Sequence, residues 1–305
     1  MAWSSLSPVT CGGRKGGGPP LLAVIKPRIA LLLVYSTAAG YVAAAAPHVP
    51  ISRLGLAILA SFFGVAGAEA ISAYTDLEVD RLMERTRLRP VPSGRLSPSA
   101  ALAYGFSLSI TGHLLALALG IEPFLSMLAG SIIYLAVYSL VLKRRTSMNI
   151  VLGSWAGAMP LLVGYTAARG LDLQALYMAG FIVIWTPPHI WSLAIRYLED
   201  YRAAGIPMLP VLIGPRRAAR IIAIITAAMI GYSLLGVALN FGLLYLLFTL
   251  PANLMLAMAC PQLARTGDAK TAFRFFKLSS PYLFLILTGI MLDRLLHSPY
   301  DLKVS

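Results

Sequence analysis

Nine stretches of about twenty mostly apolar residues partition the sequence, near 26–46, 53–75, 99–120, 123–142, 149–168, 174–197, 218–238, 240–260 and 272–294. That is the length a helix needs to cross a hydrocarbon layer about 30 Å thick. Charged residues make up only 12% of the chain, against roughly a quarter in soluble domains. Lipid offers unpaired backbone groups no partner, and the runs lack the alternation of membrane-barrel strands, so helix is the expected form. The prediction is an all-α, polytopic membrane protein built as a nine-helix bundle.

A formal net charge of +13 would suit a nucleic-acid binder, but its distribution argues otherwise. With the N-terminus in the cytoplasm, 21 of the 25 basic residues fall in the tail and the inner loops, and only Arg53, Arg169, Arg294 and Lys303 fall outside. This is the positive-inside bias, and it predicts a multi-pass protein of the cell membrane with no nucleic-acid partner. Residues 1–20 read as a flexible cytoplasmic tail and 21–305 as one membrane domain. Cys11 and Cys260 form neither a disulfide framework nor a metal spacing.

Two inner loops, about 76–98 and 198–217, are long and charged, whereas outer connections are minimal. The inner face is thus the expected functional face. Pro90, Pro92 and Gly94 close one segment there, and Ser97 with Pro98 suits the opening of the next helix. If the second span continues helically through the acids before that turn, Ser72, Asp76 and Asp80 lie in one row at successive turns, Glu69 and Glu84 extend it, and Glu78 faces away. Two readings fit such a row. One is a set of interfacial salt bridges; the other is a Mg²⁺ site, since this hard cation takes one or two carboxylates and completes its shell with waters and phosphate oxygens. In the second reading Arg85, Arg89, Lys143 and Arg144 are candidate diphosphate contacts.

A second inner-face cluster lies in "WTPPHIWSLAIRYLEDYRAAGIPMLPV". Pro187 and Pro188 interrupt backbone bonding, and His189, Ser192, Arg196 and Asp200 follow on one helical face. Two polar stripes at the inner ends of apolar helices suggest a shared cavity. Trp185, Trp191 and Tyr197 are candidate linings of a substrate path, or interfacial anchors. His113, alone in the third span, reads as structural.

"DLEVDRLMERTRLRPVPSGRLSP" and the second segment resemble the signatures of the protoheme IX farnesyltransferase branch of the UbiA superfamily of intramembrane prenyltransferases. The resemblance extends to "KPRIALLLVYSTAAGY", "LKRRTSMNIVLGSWAGAMPLLVGY" and "AFRFFKLSSPYLFLILTGIMLD", and covers most of residues 26–294. It implies a nine-helix bundle whose central cavity opens toward the cytoplasm, with Mg²⁺ bridging an allylic diphosphate to Asp76 and Asp80. It also implies a second motif in which His189 and Arg196 stand where relatives acting on quinones carry aspartates, with Asp200 retained. Asn is usual in the family where this chain has Ser72, a shorter and weaker oxygen donor.

The activity implied is transfer of a farnesyl group from farnesyl diphosphate to the 2-vinyl group of heme B, with hydration to heme O for heme-copper oxidases. Asp76, Asp80, His189, Arg196 and Asp200 are the candidate catalytic residues, and Asp76 and Asp80 the candidate metal ligands. Ser72, Arg85, Arg89, Lys143, Arg144, Trp185, Trp191 and Tyr197 are the candidate substrate contacts. His189 is open to three roles: binding heme iron, contacting a propionate, or guiding the water. Alternatives are a UbiA-type enzyme for a quinone precursor or lipid acceptor, and a non-enzymatic heme carrier or transporter.

Overall fold

Helices account for most of residues 19–296, which are those the computed structural model describes; most of the expected tail, residues 1–18, lies outside them. Among the described residues nine helices are long and apolar enough to cross a membrane. They are α1 (Pro27–Ala45), α2 (Ile51–Thr75), α3 (Pro98–Leu119), α4 (Ile121–Leu142), α5 (Asn149–Ala168), α6 (Leu173–Arg196), α7 (Pro215–Leu239), α8 (Leu243–Thr266) and α9 (Ala269–Leu296). The ends differ from the sequence expectation by a few residues, most at α8, whose apolar run continues past Cys260 through Pro261. Ser97 caps α3 as expected, its hydroxyl accepting the Ala100 N–H at 3.2 Å, with Pro98 in the first turn where a missing N–H costs nothing.

The helices close into a ring. α1 packs on α2, α5 and α9, and α6 on α5, α7 and α9, so α1, α5, α6 and α9 form the seam between an N-terminal and a C-terminal group. Two of the seam helices are the most enclosed spans, with 61% of the α5 window and 67% of the α6 window buried, against 17% for α4 and 22% for α3 at the periphery. α6 therefore carries polar residues inward without exposing them to hydrocarbon. At the α1–α5 crossing the backbones touch, since a Cβ on Gly164 would sit 1.9 Å from the Thr37 carbonyl oxygen and one on Gly40 2.2 Å from that of Leu161. Small residues let membrane helices gain close van der Waals packing where no hydrophobic force between helices exists.

Four features depart from the expected regularity. α2 pauses at Asp76 (φ −93°, ψ 1°), and the chain resumes as a short helix, Leu77–Leu82; the i→i−4 bonds Asp76 N–H to Ser72 O (2.9 Å) and Asp80 N–H to Asp76 O (2.8 Å) keep the acids nearly in line. The C-terminal half of α4, Ile132–Leu142, is a π-helix. Pro187 and Pro188 do not break α6, which runs through both and leaves the carbonyls four residues earlier without their usual donors. The second charged loop is partly helical, at Leu198–Ala203 and Leu209–Ile213.

Candidate functional site

Asp76 and Asp80 are 7% and 4% exposed, burial that carboxylates tolerate only with charged or hydrogen-bonding partners. Lys143, just beyond the end of α4, reaches Asp76 Oδ2 with Nζ at 2.7 Å. Arg89 Nη1 donates to both oxygens of Asp80, at 3.0 and 3.3 Å. Burial lowers the Lys143 pKa, and the Asp76 charge opposes that shift. The salt bridges are thus real, but they sit inside the protein and not along a wet helix end.

The outer members of the acidic row part ways. Glu84 lies beyond the end of the short helix, is exposed, and pairs with Arg87 at 2.6 Å, so it does not extend the row. At the other end Glu69 is buried and bonds Lys26 and the Tyr134 hydroxyl, the latter at 3.2 Å. Ser72 is fully enclosed; its hydroxyl donates to the Glu69 carbonyl at 2.9 Å and accepts from Tyr134 at 3.2 Å. Glu78 faces away as expected and meets Arg144 at 3.4 Å on the surface, an exposed pair of small energetic weight.

The two long charged loops meet at Arg85. Its backbone N–H donates to Asp200 Oδ2 at 3.1 Å, and its guanidinium lies over the Tyr197 ring at 5.4 Å. Tyr201 is buried, which raises its pKa, and the Arg85 charge opposes that shift. Asp200 is not on the face of α6 that carries His189, because α6 ends at Arg196 and the chain turns at Tyr197 (φ −113°, ψ 39°). The exposed Arg196 guanidinium lies near the Tyr197 and Phe273 rings, at 5.7 and 5.8 Å. Residues 195–200, Pro215 and residues 267–269 line a cavity of about 370 Å³ beside it.

His189 is buried deeper and toward α9. Its Nδ1 is 2.7 Å from Ser279 Oγ, and its ring is stacked between Trp185 and Phe276, each centroid 4.3 Å away. Trp185 donates Nε1–H to the Ser279 carbonyl at 2.8 Å. Among the described residues no hydrogen bond or ion pair joins His189 to the aspartate row. Neither tryptophan is an interfacial anchor, since Trp185 is 7% and Trp191 4% exposed. Trp191 Nε1 is buried with no hydrogen-bond partner, an indole donor aimed at no protein acceptor. His113 is structural, bonding the Ser109 carbonyl at 2.7 Å and Ser131 Oγ at 3.3 Å.

Sequence reasoning missed Lys26, Tyr134, Tyr138, Tyr201, Phe276 and Ser279. Lys26 carried a signal, as a cation beside Arg28 at the mouth of the first span, and Tyr201, Phe276 and Ser279 lie in segments that carry the family resemblance. The donor set suits a hard cation: Asp76 and Asp80 supply oxygens a helical turn apart, and among the described residues no third His, Cys, Asp or Glu joins them. A cation held there would take the rest of its shell from water or from a ligand's oxygens, as Mg²⁺ does in sites completed by phosphate.

The sequence profile of the UbiA prenyltransferase family matches residues 33–281. Protoheme IX farnesyltransferase 2 of Pyrobaculum aerophilum is 39% identical over 285 residues, covering 90% of this chain and 98% of the relative. The fold resembles a solved structure of digeranylgeranylglyceryl phosphate synthase (TM-score 0.74, 18% identity, 90% of this chain and 98% of the other). It also resembles a UbiA homologue from Archaeoglobus fulgidus bound to GPP and Mg²⁺ (TM-score 0.67, 19% identity, 89% and 99% covered).

Proposed function

The chain belongs to the UbiA prenyltransferase family, and from that premise we propose that it transfers the farnesyl group of farnesyl diphosphate to the 2-vinyl group of heme B, giving heme O. The observation that carries this reading is the buried Asp76 and Asp80 pair flanked by Lys143 and Arg89, with His189 and Arg196 on α6 in place of further acids. Asp76 and Asp80 would hold Mg²⁺, which when bound supplies positive charge to the departing diphosphate. We place this face in the cytoplasm on the charge bias of the loops.

Lys143 and Arg89 bind diphosphate oxygens, and Arg85 and Arg144 add charge at the rim. Their positions are set before the reaction, so charge that develops as the carbon–oxygen bond breaks meets fixed cations. The bond's electron pair leaves with the diphosphate, and the enclosed helices keep water from the allylic cation. The vinyl π-pair forms the new bond to C1 of the farnesyl group, water adds to the resulting porphyrin-stabilised cation, and one proton is lost. Arg196 pairs with a heme propionate at the 370 Å³ cavity, beside Tyr197 and Asp200. His189, its Nδ1 engaged by Ser279, offers Nε2 to the heme, and Trp185 and Trp191 line that path.

The direct test supplies heme B, farnesyl diphosphate and Mg²⁺ to membranes carrying the protein, followed by mass analysis of extracted hemes. Heme O is the expected product, and chelation of the metal stops its formation. Absence of any farnesylated heme, where a related enzyme works in parallel, would rule the reading out. Within it, His189→Phe keeps an aromatic ring between Trp185 and Phe276 and removes both ring nitrogens. Heme O formation is expected to fall at least about a hundredfold, while Mg²⁺-dependent pyrophosphate binding stays at the wild-type level. Weakened pyrophosphate binding would place His189 with the diphosphate instead.

A further inference from the structure

Glu69 sits in an apolar helix seven residues, about two turns, before Asp76. A charged carboxylate at such a depth is unfavourable unless its surroundings pair it. Both of its side-chain partners come from other segments: the Lys26 ammonium from the chain leading into α1, and the Tyr134 hydroxyl from α4. The same two groups also reach Ser72 Oγ, Lys26 Nζ at 3.4 Å and Tyr134 at 3.2 Å. Four polar side chains, Lys26, Glu69, Ser72 and Tyr134, therefore converge within two turns of Asp76, around a fully enclosed Ser72.

Two departures from regular backbone make this convergence possible. Lys26 has a left-handed φ of 48° immediately before Pro27, a conformation that a side chain with a Cβ adopts rarely and keeps only where contacts hold it. In α4, the nine residues from Tyr134 to Lys143 would place the two about half a turn apart in an α-helix, at 100° per residue. The π register widens each turn, and the Lys143 N–H bonds the Tyr138 carbonyl, five residues back, at 2.8 Å. Tyr134 thereby reaches Glu69 and Ser72 while Lys143, at the C-terminal cap of the same helix, reaches Asp76. Tyr134 and Tyr138 stack between them, centroids 6.0 Å apart.

We propose that Glu69 is a positioning residue for the prenyl diphosphate, fixing the Lys26 ammonium and the Tyr134 hydroxyl against Ser72 so that Lys26 joins Lys143 in facing the diphosphate oxygens. Glu69 itself touches no substrate. Its carboxylate keeps Lys26 from being drawn onto Asp76, and it holds the hydroxyl that orients Ser72. The inference rests on the Asp76 and Asp80 reading given above. The competing role for the same contacts is a helix lock, an ion pair that joins α1, α2 and α4 and does nothing for the ligand.

The experiment measures pyrophosphate binding by calorimetry on the purified full-length protein with Mg²⁺, together with KM and kcat for farnesyl diphosphate and the melting temperature. Glu69→Gln is expected to weaken pyrophosphate binding and raise KM by at least about tenfold, with a smaller change in kcat. Glu69→Asp, which restores the charge on a shorter arm, recovers part of the loss. A Glu69→Gln protein that melts lower but binds pyrophosphate as the wild type does would establish the lock and overturn the proposal. Should that variant not fold, the double change Lys26→Met with Glu69→Leu removes both charges together and leaves neither buried alone. Tenfold weaker pyrophosphate binding in the double variant supports the proposal, and unchanged binding overturns it. A wild-type protein that binds no pyrophosphate with Mg²⁺ would overturn the aspartate-site reading itself, and the role of Glu69 with it.

Discussion

Asp76→Asn is expected to lower farnesyl transfer by at least about a hundredfold while the protein stays folded, and the choice of asparagine over alanine follows from the Lys143 contact. Asp76 and Lys143 are both largely enclosed, with side-chain exposures of 10% and 13%. Truncating Asp76 to alanine strands a buried ammonium, at a cost of about 3 to 5 kcal/mol that would confuse lost chemistry with lost fold. Asparagine keeps an oxygen for Lys143 and removes the charge. A single preorganised group acting on developing charge is worth on the order of 10² to 10³ in rate. Asp80→Asn is expected to behave similarly, with a milder effect on stability because its partner Arg89 is 32% exposed. The measurements are heme O formation, pyrophosphate binding with Mg²⁺, and thermal melting in detergent. An Asp76→Asn enzyme that works within tenfold of the wild type would remove Asp76 from the charge-bearing group.

The value of that comparison depends on contacts that sequence periodicity does not report. The nine spans were legible because length and hydropathy are local properties, and the end of the bundle that holds the site was legible because the two long charged loops lie there. Asp76 and Asp80 stood out as acids in an acid-poor chain. Lys143 and Arg89 stood out as candidate diphosphate contacts but not as partners of these acids: Lys143 lies 67 residues from Asp76 in sequence, and its direction depends on a π register that a reading at 100° per residue reverses. The same assumption carried the helix past Tyr197 and put Asp200 in line with His189, whereas the turn there hands Asp200 to Arg85. It also carried the acidic row to Glu84, which the end of the short helix at Leu82 leaves in solvent. His189 was visible as a polar residue in an apolar helix, but its stack between Trp185 and Phe276 needs α9 beside α6, a tertiary fact.

Gly164→Ala is expected to be the most damaging single methyl addition in the bundle. The new Cβ would lie 1.9 Å from the Thr37 carbonyl oxygen and 2.7 Å from its carbon, which are backbone atoms of α1 and have no rotamer to turn away. Overpacking a filled interior usually costs about 1 to 3 kcal/mol, and a backbone-to-backbone clash belongs at or above the top of that range. Relief requires α1 to move off α5. Because α1 begins at Pro27, that movement pulls Lys26 from Glu69, and the variant that does fold should show weakened pyrophosphate binding as well as a lower melting temperature. Gly55→Ala is the control: nothing lies within 4 Å of its would-be Cβ, and alanine is the better helix former by about 1 kcal/mol, so melting should stay the same or rise. If Gly164→Ala melts with the wild type, the α1–α5 crossing is not held by backbone contact, and the path from that crossing to Lys26 is lost with it.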